Sequence, residues 1–218
     1  MTYVPNYFIP LYLQFVRHDS AIMAGVRLLA LVIFLVSAIV VNGYTVTASR
    51  RYMPWFFAGG TLGLIGSALL YTVDVETSNA KLYGYSILVG TGAGCFLQLP
   101  FSVVQSLVPP EPIPKAIGFV TFAQLGAPSL VLAVVNAIFL NEAANNIERM
   151  SSSLSRQTII NILSGVGSDT FALLDTTTQQ KILRFIEAGL DKGYIVTMTS
   201  GALAIVLSIF HNRGKMFR

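Results

Sequence analysis

The sequence predicts an all-α protein that crosses a membrane several times, and three observations lead there. Of its 218 residues 54% are hydrophobic and 11% are charged, with a mean hydropathy of +0.67. Water-soluble domains carry about a quarter charged residues, so this chain is poor in them. The charges are also clustered, leaving residues 28–49, 82–110 and 116–141 without one Asp, Glu, Lys or Arg. Each window exceeds the about 20 residues that cross a hydrocarbon layer at about 1.5 Å per residue. The strict polar–apolar alternation of a membrane β-barrel is missing.

Residues 3–16 are apolar and aromatic, with Pro5 and Pro10, and too few to cross comfortably. They read as the end of a truncated first helix. Arg17, His18 and Asp19 form a polar turn. A span over residues 23–46 follows, with Arg27 near its start, where a cation snorkels to the headgroups or closes the mouth of a cavity. Arg50, Arg51 and Tyr52 lie in a tight loop before the span 55–73. Gly59, Gly63 and Gly66 give that span a small-residue face for close helix contact. After a polar loop come the spans 82–108 and 115–140. Between them Pro109, Pro110, Pro112 and Pro114 remove backbone donors and stop the helix. Residues 141–192 read as a polar loop with two weakly amphipathic segments, 156–163 and 176–190. A last span over residues 193–211 leads to the basic tail 212–218.

Orientation follows from Lys and Arg in the short loops. Arg50, Arg51, Lys115, Arg213, Lys215 and Arg218 fall on one side; Arg17 and Lys81 fall on the other. The bias places the first set and the C-terminus in the cytoplasm and the 141–192 loop outside.

Several chemistries lose support. The net charge of +4 comes without a basic face interleaved with aromatics, so no nucleic-acid partner is expected. Cys95 is the one cysteine, which rules out an internal disulfide or cysteine metal site. No metal, cofactor or enzymatic residue set is expected: His18 and His211 lie at opposite ends, and there is no HExxH motif or nucleophile–base arrangement. No N-x-S/T sequon and no cleavable signal peptide are expected.

The polar residues within the spans are Asn42, Gln98, Gln105, Gln124 and Asn136, with Tyr12 and Gln14 on the first, short helix. Amides in hydrocarbon are costly unless they meet partners or water. Gln98 and Gln105, seven apart, fall on nearly one helix face. Gln98, Gln105, Gln124, Asn136, Tyr12 and Gln14 are therefore candidates to line a cavity for a small organic substrate; inter-helix bonding is the alternative. Gly90 and Gly94, spaced as GxxxG, suit helix packing better than a nucleotide loop, because no strand precedes them. No Asp or Glu lies in the core of any span, although an ion-coupled carrier needs an ionisable group at depth.

Four runs resemble one family. They are YFIPLYLQFVRHDSAIMAGVRLLALVI, RRYMPWFFAGG, GYSILVGTGAGCFLQLPFSVVQSLVPPEPIP and FAQLGAPSLVLAVVNAIFLN. Together they resemble the C-terminal six-helix half of a major facilitator superfamily transporter, in the fungal fourteen-helix drug:proton antiporter branch. Arg50 stands where that pattern often has glycine, and Ala30 where it has proline. The resemblance implies efflux of small amphipathic compounds or toxins by alternating access, in the plasma membrane, coupled to protons through an N-terminal half that this chain lacks. The rival expectations are a truncated, non-transporting fragment and a half-size facilitator acting as a dimer.

Overall fold

The structure, a computed structural model, describes residues 2–49, 51–74, 76–150, 155–163, 171 and 174–210. Among these it forms α1 (Tyr3–Phe15), α2 (Ala21–Ser49), α3 (Met53–Leu70), α4 (Asn79–Leu97), α5 (Leu99–Leu107), α6 (Ile113–Met150), α7 (Arg156–Leu163) and α8 (Thr176–Phe210). There is no strand among the described residues. Five stretches are long and apolar enough to cross a membrane: α2, α3, α4 continued by α5, α6 and α8. With 13 residues, α1 is not among them.

Packing is set by glycine. On α2 the buried side chains Ala24, Leu31 and Ala38 recur every seven residues and face α4. A Cβ added at Gly90 would sit 2.3 Å from the Leu31 carbonyl oxygen, and one at Gly94 would sit 2.4 Å from that of Leu35. Only hydrogen fits there. The opposite face of α4 meets α3 as closely: a Cβ on Gly92 would lie 2.6 Å from the Gly63 nitrogen, and one on Gly59 would lie 2.8 Å from Cys95 Cβ. In hydrocarbon, burying apolar surface gives little drive, so such backbone approach supplies the dispersion contact that holds helices together.

One face of α1 is buried against α2, α6 and α8. Phe8 is fully buried, its ring 5.9 Å from Phe139 of α6 and 6.4 Å from Tyr194 of α8. The outward faces of α2 and α6 keep Ile33, Phe34, Phe119 and Phe122 exposed, which suits surfaces solvated by lipid tails.

Two expected boundaries are corrected. The span 82–108 is not one helix: α4 stops at Leu97 and α5 starts at Leu99. Pro100, second residue of α5, has no N–H to donate, and its ring crowds the carbonyl four residues earlier. Nor is 141–192 only a loop with short helices, although α7 coincides with the expected segment 156–163. α6 runs to Met150, with Pro128 inside it, and α8 starts at Thr176, so these helices of 38 and 35 residues are each continuous. At about 1.5 Å per residue they reach about 57 and 52 Å, well beyond a hydrocarbon layer of about 30 Å. Their extensions persist because they find partners. Ala143, Ala144 and Ile147 of α6, Ile159 and Ile162 of α7, and Ile182 and Ile186 of α8 are all buried.

Candidate functional site

The break at Gln98 collects the polar groups. In an unbroken helix the Leu97 carbonyl would accept only from the backbone four residues on. Here Gln124 of α6 also donates to it from Nε2 at 2.9 Å. The Tyr3 hydroxyl of α1 donates to the Gln124 backbone carbonyl at 3.4 Å. Three helices thus meet at one irregular point. Gln98 is the hinge residue itself, with φ −94° and ψ −22°, and its side chain is exposed. Gln105 is exposed as well, one turn and a half into α5. Discontinuous helices with freed backbone groups are tolerated in membranes where they line a cavity or find side-chain partners.

The other candidates lie elsewhere. Asn136, half-buried, is twelve residues beyond Gln124, about 18 Å along α6. Gln14 is eleven residues beyond Tyr3, about 16 Å along α1. It opens onto a different recess, of about 310 Å³, shared with His18, Asp19 and Ile162. Tyr12 is buried and engaged: its hydroxyl donates to the Asp74 carbonyl at 2.6 Å and accepts from Arg17 Nε at 3.2 Å. Arg17 also donates to the Thr77 carbonyl. Tyr12 therefore ties α1 to the turn after α3. That turn is itself stabilised. The Thr77 hydroxyl holds the Asp74 carboxyl below the usual carboxylate range, helped by the Glu76 and Thr77 amides and Lys81 against a little desolvation.

Asn42 is inter-helix glue, 1% exposed, donating from Nδ2 to the Cys95 carbonyl at 3.0 Å. Arg27 is paired with Asp19 at 2.9 Å, both side chains largely buried. Tyr52, expected in a loop, is 4% exposed and packs with Val46, Leu99 and Phe56. Arg51 beside it is exposed, while Arg50 lies outside the described residues. Sequence reading passed over Tyr3 and Asn6. Asn6 Oδ1 is buried without a hydrogen-bond partner among the described residues. An amide between two prolines in an apolar run was the available signal.

A helix broken at a glutamine and a proline, glycine-seated neighbours and long charge-free stretches within the helices can be set beside known proteins. The chain is 41% identical over 215 residues to an MFS-type (major facilitator superfamily) transporter of Aspergillus terreus, covering 99% of this chain and 38% of that protein. It is 39% identical over 214 residues to an efflux pump of Emericella nidulans, covering 98% and 39%. This chain belongs to the major facilitator superfamily. An efflux pump of Fusarium langsethiae is 39% identical over 203 residues, covering 93% of this major facilitator chain and 37% of the pump. No family model matches the chain, and no solved structure does. As a major facilitator chain it is a multi-pass membrane protein, and it spans about 38% of the length of the curated relatives it matches.

Proposed function

We propose that this chain is the C-terminal six-helix half of a fungal efflux transporter and forms one wall of its substrate cavity. In this reading small amphipathic organic compounds or toxins are exported as two bundles rock about a central site. Gln98, Gln105 and Gln124 face that site. Proton coupling is supplied by residues outside this chain, since the apolar windows 28–49, 82–110, 116–141 and 193–210 hold no Asp or Glu. The turn at 108–112 and the C-terminus face the cytoplasm of a plasma-membrane protein, and the end of α6 and the start of α8 stand outside with α7.

The observation that carries the reading is the α4/α5 break, where Gln98 is exposed and Gln124 caps the Leu97 carbonyl. The names of the relatives support it, being a transporter and efflux pumps. The test uses the full-length Aspergillus terreus relative, with alanine at the residues aligned to Gln98 and Gln105. Efflux of a fluorescent amphipathic dye from yeast should fall severalfold at equal expression. Unchanged efflux at normal surface abundance refutes the assignment.

A second reading is favoured by the 38% coverage: the chain alone inserts in the membrane and transports nothing. Vesicles holding this chain alone would then show no dye uptake in either direction, whereas saturable uptake would indicate a half-size facilitator acting as a dimer.

A further inference from the structure

Beside the α4/α5 break, the bundle holds a cleft of about 490 Å³ toward the end where α3 and α6 begin and α5 and α8 finish. Its walls are Met53 and Phe56 of α3, Phe96 of α4, Val104 of α5, Val120 of α6 and Leu207 of α8. The volume is that of a small-molecule pocket, within the roughly 300–1,000 Å³ such sites occupy. The lining lacks what an organic cargo needs for orientation, namely a few convergent polar groups. Its polar side chains are Tyr52 and Ser208, and the Ser208 hydroxyl already donates to the Ile205 carbonyl at 2.7 Å.

Two exposed cations lie in the segments next to its lining. Arg51, exposed, directly precedes Tyr52; Lys115, exposed, lies five residues before Val120, about 7.5 Å along α6. Among the described residues of 47–54 and 108–115, these two cations stand against one acid, Glu111. An apolar slot beside two cations matches an acyl chain under an anionic headgroup, and basic pockets between spans on the cytoplasmic side are suited to such lipids.

We propose that this cleft seats one acyl chain of an anionic phospholipid, with Arg51 and Lys115 holding its phosphate. The assignment does not require the cargo site to be correct. It stands on the apolar cleft and the cations beside it, and the test below reads lipid binding and not transport.

Trp55 is the one tryptophan and packs in the same cluster as Tyr52, Met53, Phe56 and Val103. The 218-residue chain is placed in nanodiscs of phosphatidylcholine doped with either phosphatidylserine or phosphatidylcholine carrying brominated acyl chains, and Trp55 fluorescence is followed. Quenching by the brominated serine lipid should saturate at a severalfold lower mole fraction than quenching by the choline lipid. Val104→Phe, which fills the slot, should abolish the saturable component. The surface pair Arg51→Gln and Lys115→Gln should keep quenching and equalise the two lipids. Helical circular dichroism checks that each variant is folded, and if Val104→Phe is not, the charge pair decides. Equal quenching of the wild-type chain by both lipids overturns the proposal. So does a headgroup preference that survives loss of both charges. Displacement of the lipid by a neutral amphipathic dye, with no headgroup preference, would assign the cleft to cargo instead.

Discussion

Gly90 offers the sharpest test of how this bundle is held together. Replacing it by alanine puts a methyl group 2.3 Å from the Leu31 carbonyl oxygen. Real Cβ contacts under 3.0 Å essentially do not occur, so α2 and α4 must part by at least 0.7 Å there. The atom in the way is backbone, which no rotamer change can relieve. Overpacking of this kind costs about 1–3 kcal/mol. Gly94→Ala, 2.4 Å from Leu35 O, should cost a similar amount. The double variant should cost less than the sum, because one separation of the helices relieves both clashes, and neighbouring sites that share a shift couple. Gly84, on the same helix, has nothing within 4 Å of the added methyl. Gly84→Ala should be neutral or stabilising by up to about 1 kcal/mol through helix propensity. Unfolding in mixed SDS micelles, followed by helical circular dichroism, measures all four. If Gly84→Ala costs as much as Gly90→Ala, close backbone approach is not what the glycines provide.

Two further outcomes are expected. Asn42→Leu removes the donor to the Cys95 carbonyl and should destabilise by about 0.6–2 kcal/mol in the same unfolding measurement; no change would show that the bond contributes nothing in the micelle. Acidification should loosen the turn after α3. The Asp74 carboxyl accepts from the Thr77 hydroxyl at 2.7 Å and the Glu76 amide at 3.0 Å, and it titrates below its ordinary value. Its contribution is therefore complete above about pH 4 and is lost as the pH falls through the lower folded value. Protection of the Glu76 amide from hydrogen exchange, corrected for intrinsic rate, should drop below about pH 4 in the wild-type chain. Constant protection to about pH 2 would refute the role given to the carboxylate.

Much of the architecture was legible in the sequence, for reasons that belong to the bilayer. A hydrocarbon layer sets a minimum run of uncharged residues, and the chain shows each run plainly: residues 55–73 were expected to be helical and α3 is Met53–Leu70. The small-residue spacing of Gly90 and Gly94 is readable because backbone approach leaves its mark in composition. What resisted reading was where helices stop once they leave the lipid. Residues 141–150 look like loop because they are polar. They remain helical because Ala143, Ala144 and Ile147 are covered by α7 and α8. That partnership joins residues far apart in sequence.

The candidate site divides in the same way. Residue type alone nominated six polar groups on the spans and on α1, since any amide or phenol in hydrocarbon needs a partner. It could not say which had one. Tyr12 spends its hydroxyl on Asp74, and Gln14 and Asn136 lie more than about 15 Å along their helices from the break. Gln98, Gln105 and Gln124 remain associated with it. By itself the sequence determined the class of protein, the number of full spans and the glycine seams, because these follow from local composition measured against a layer of fixed thickness. The tertiary structure decided which polar groups are already satisfied, where α4 breaks against α6, and how far the helices extend. Each of those depends on a hydrogen bond or a buried contact between distant parts of the chain.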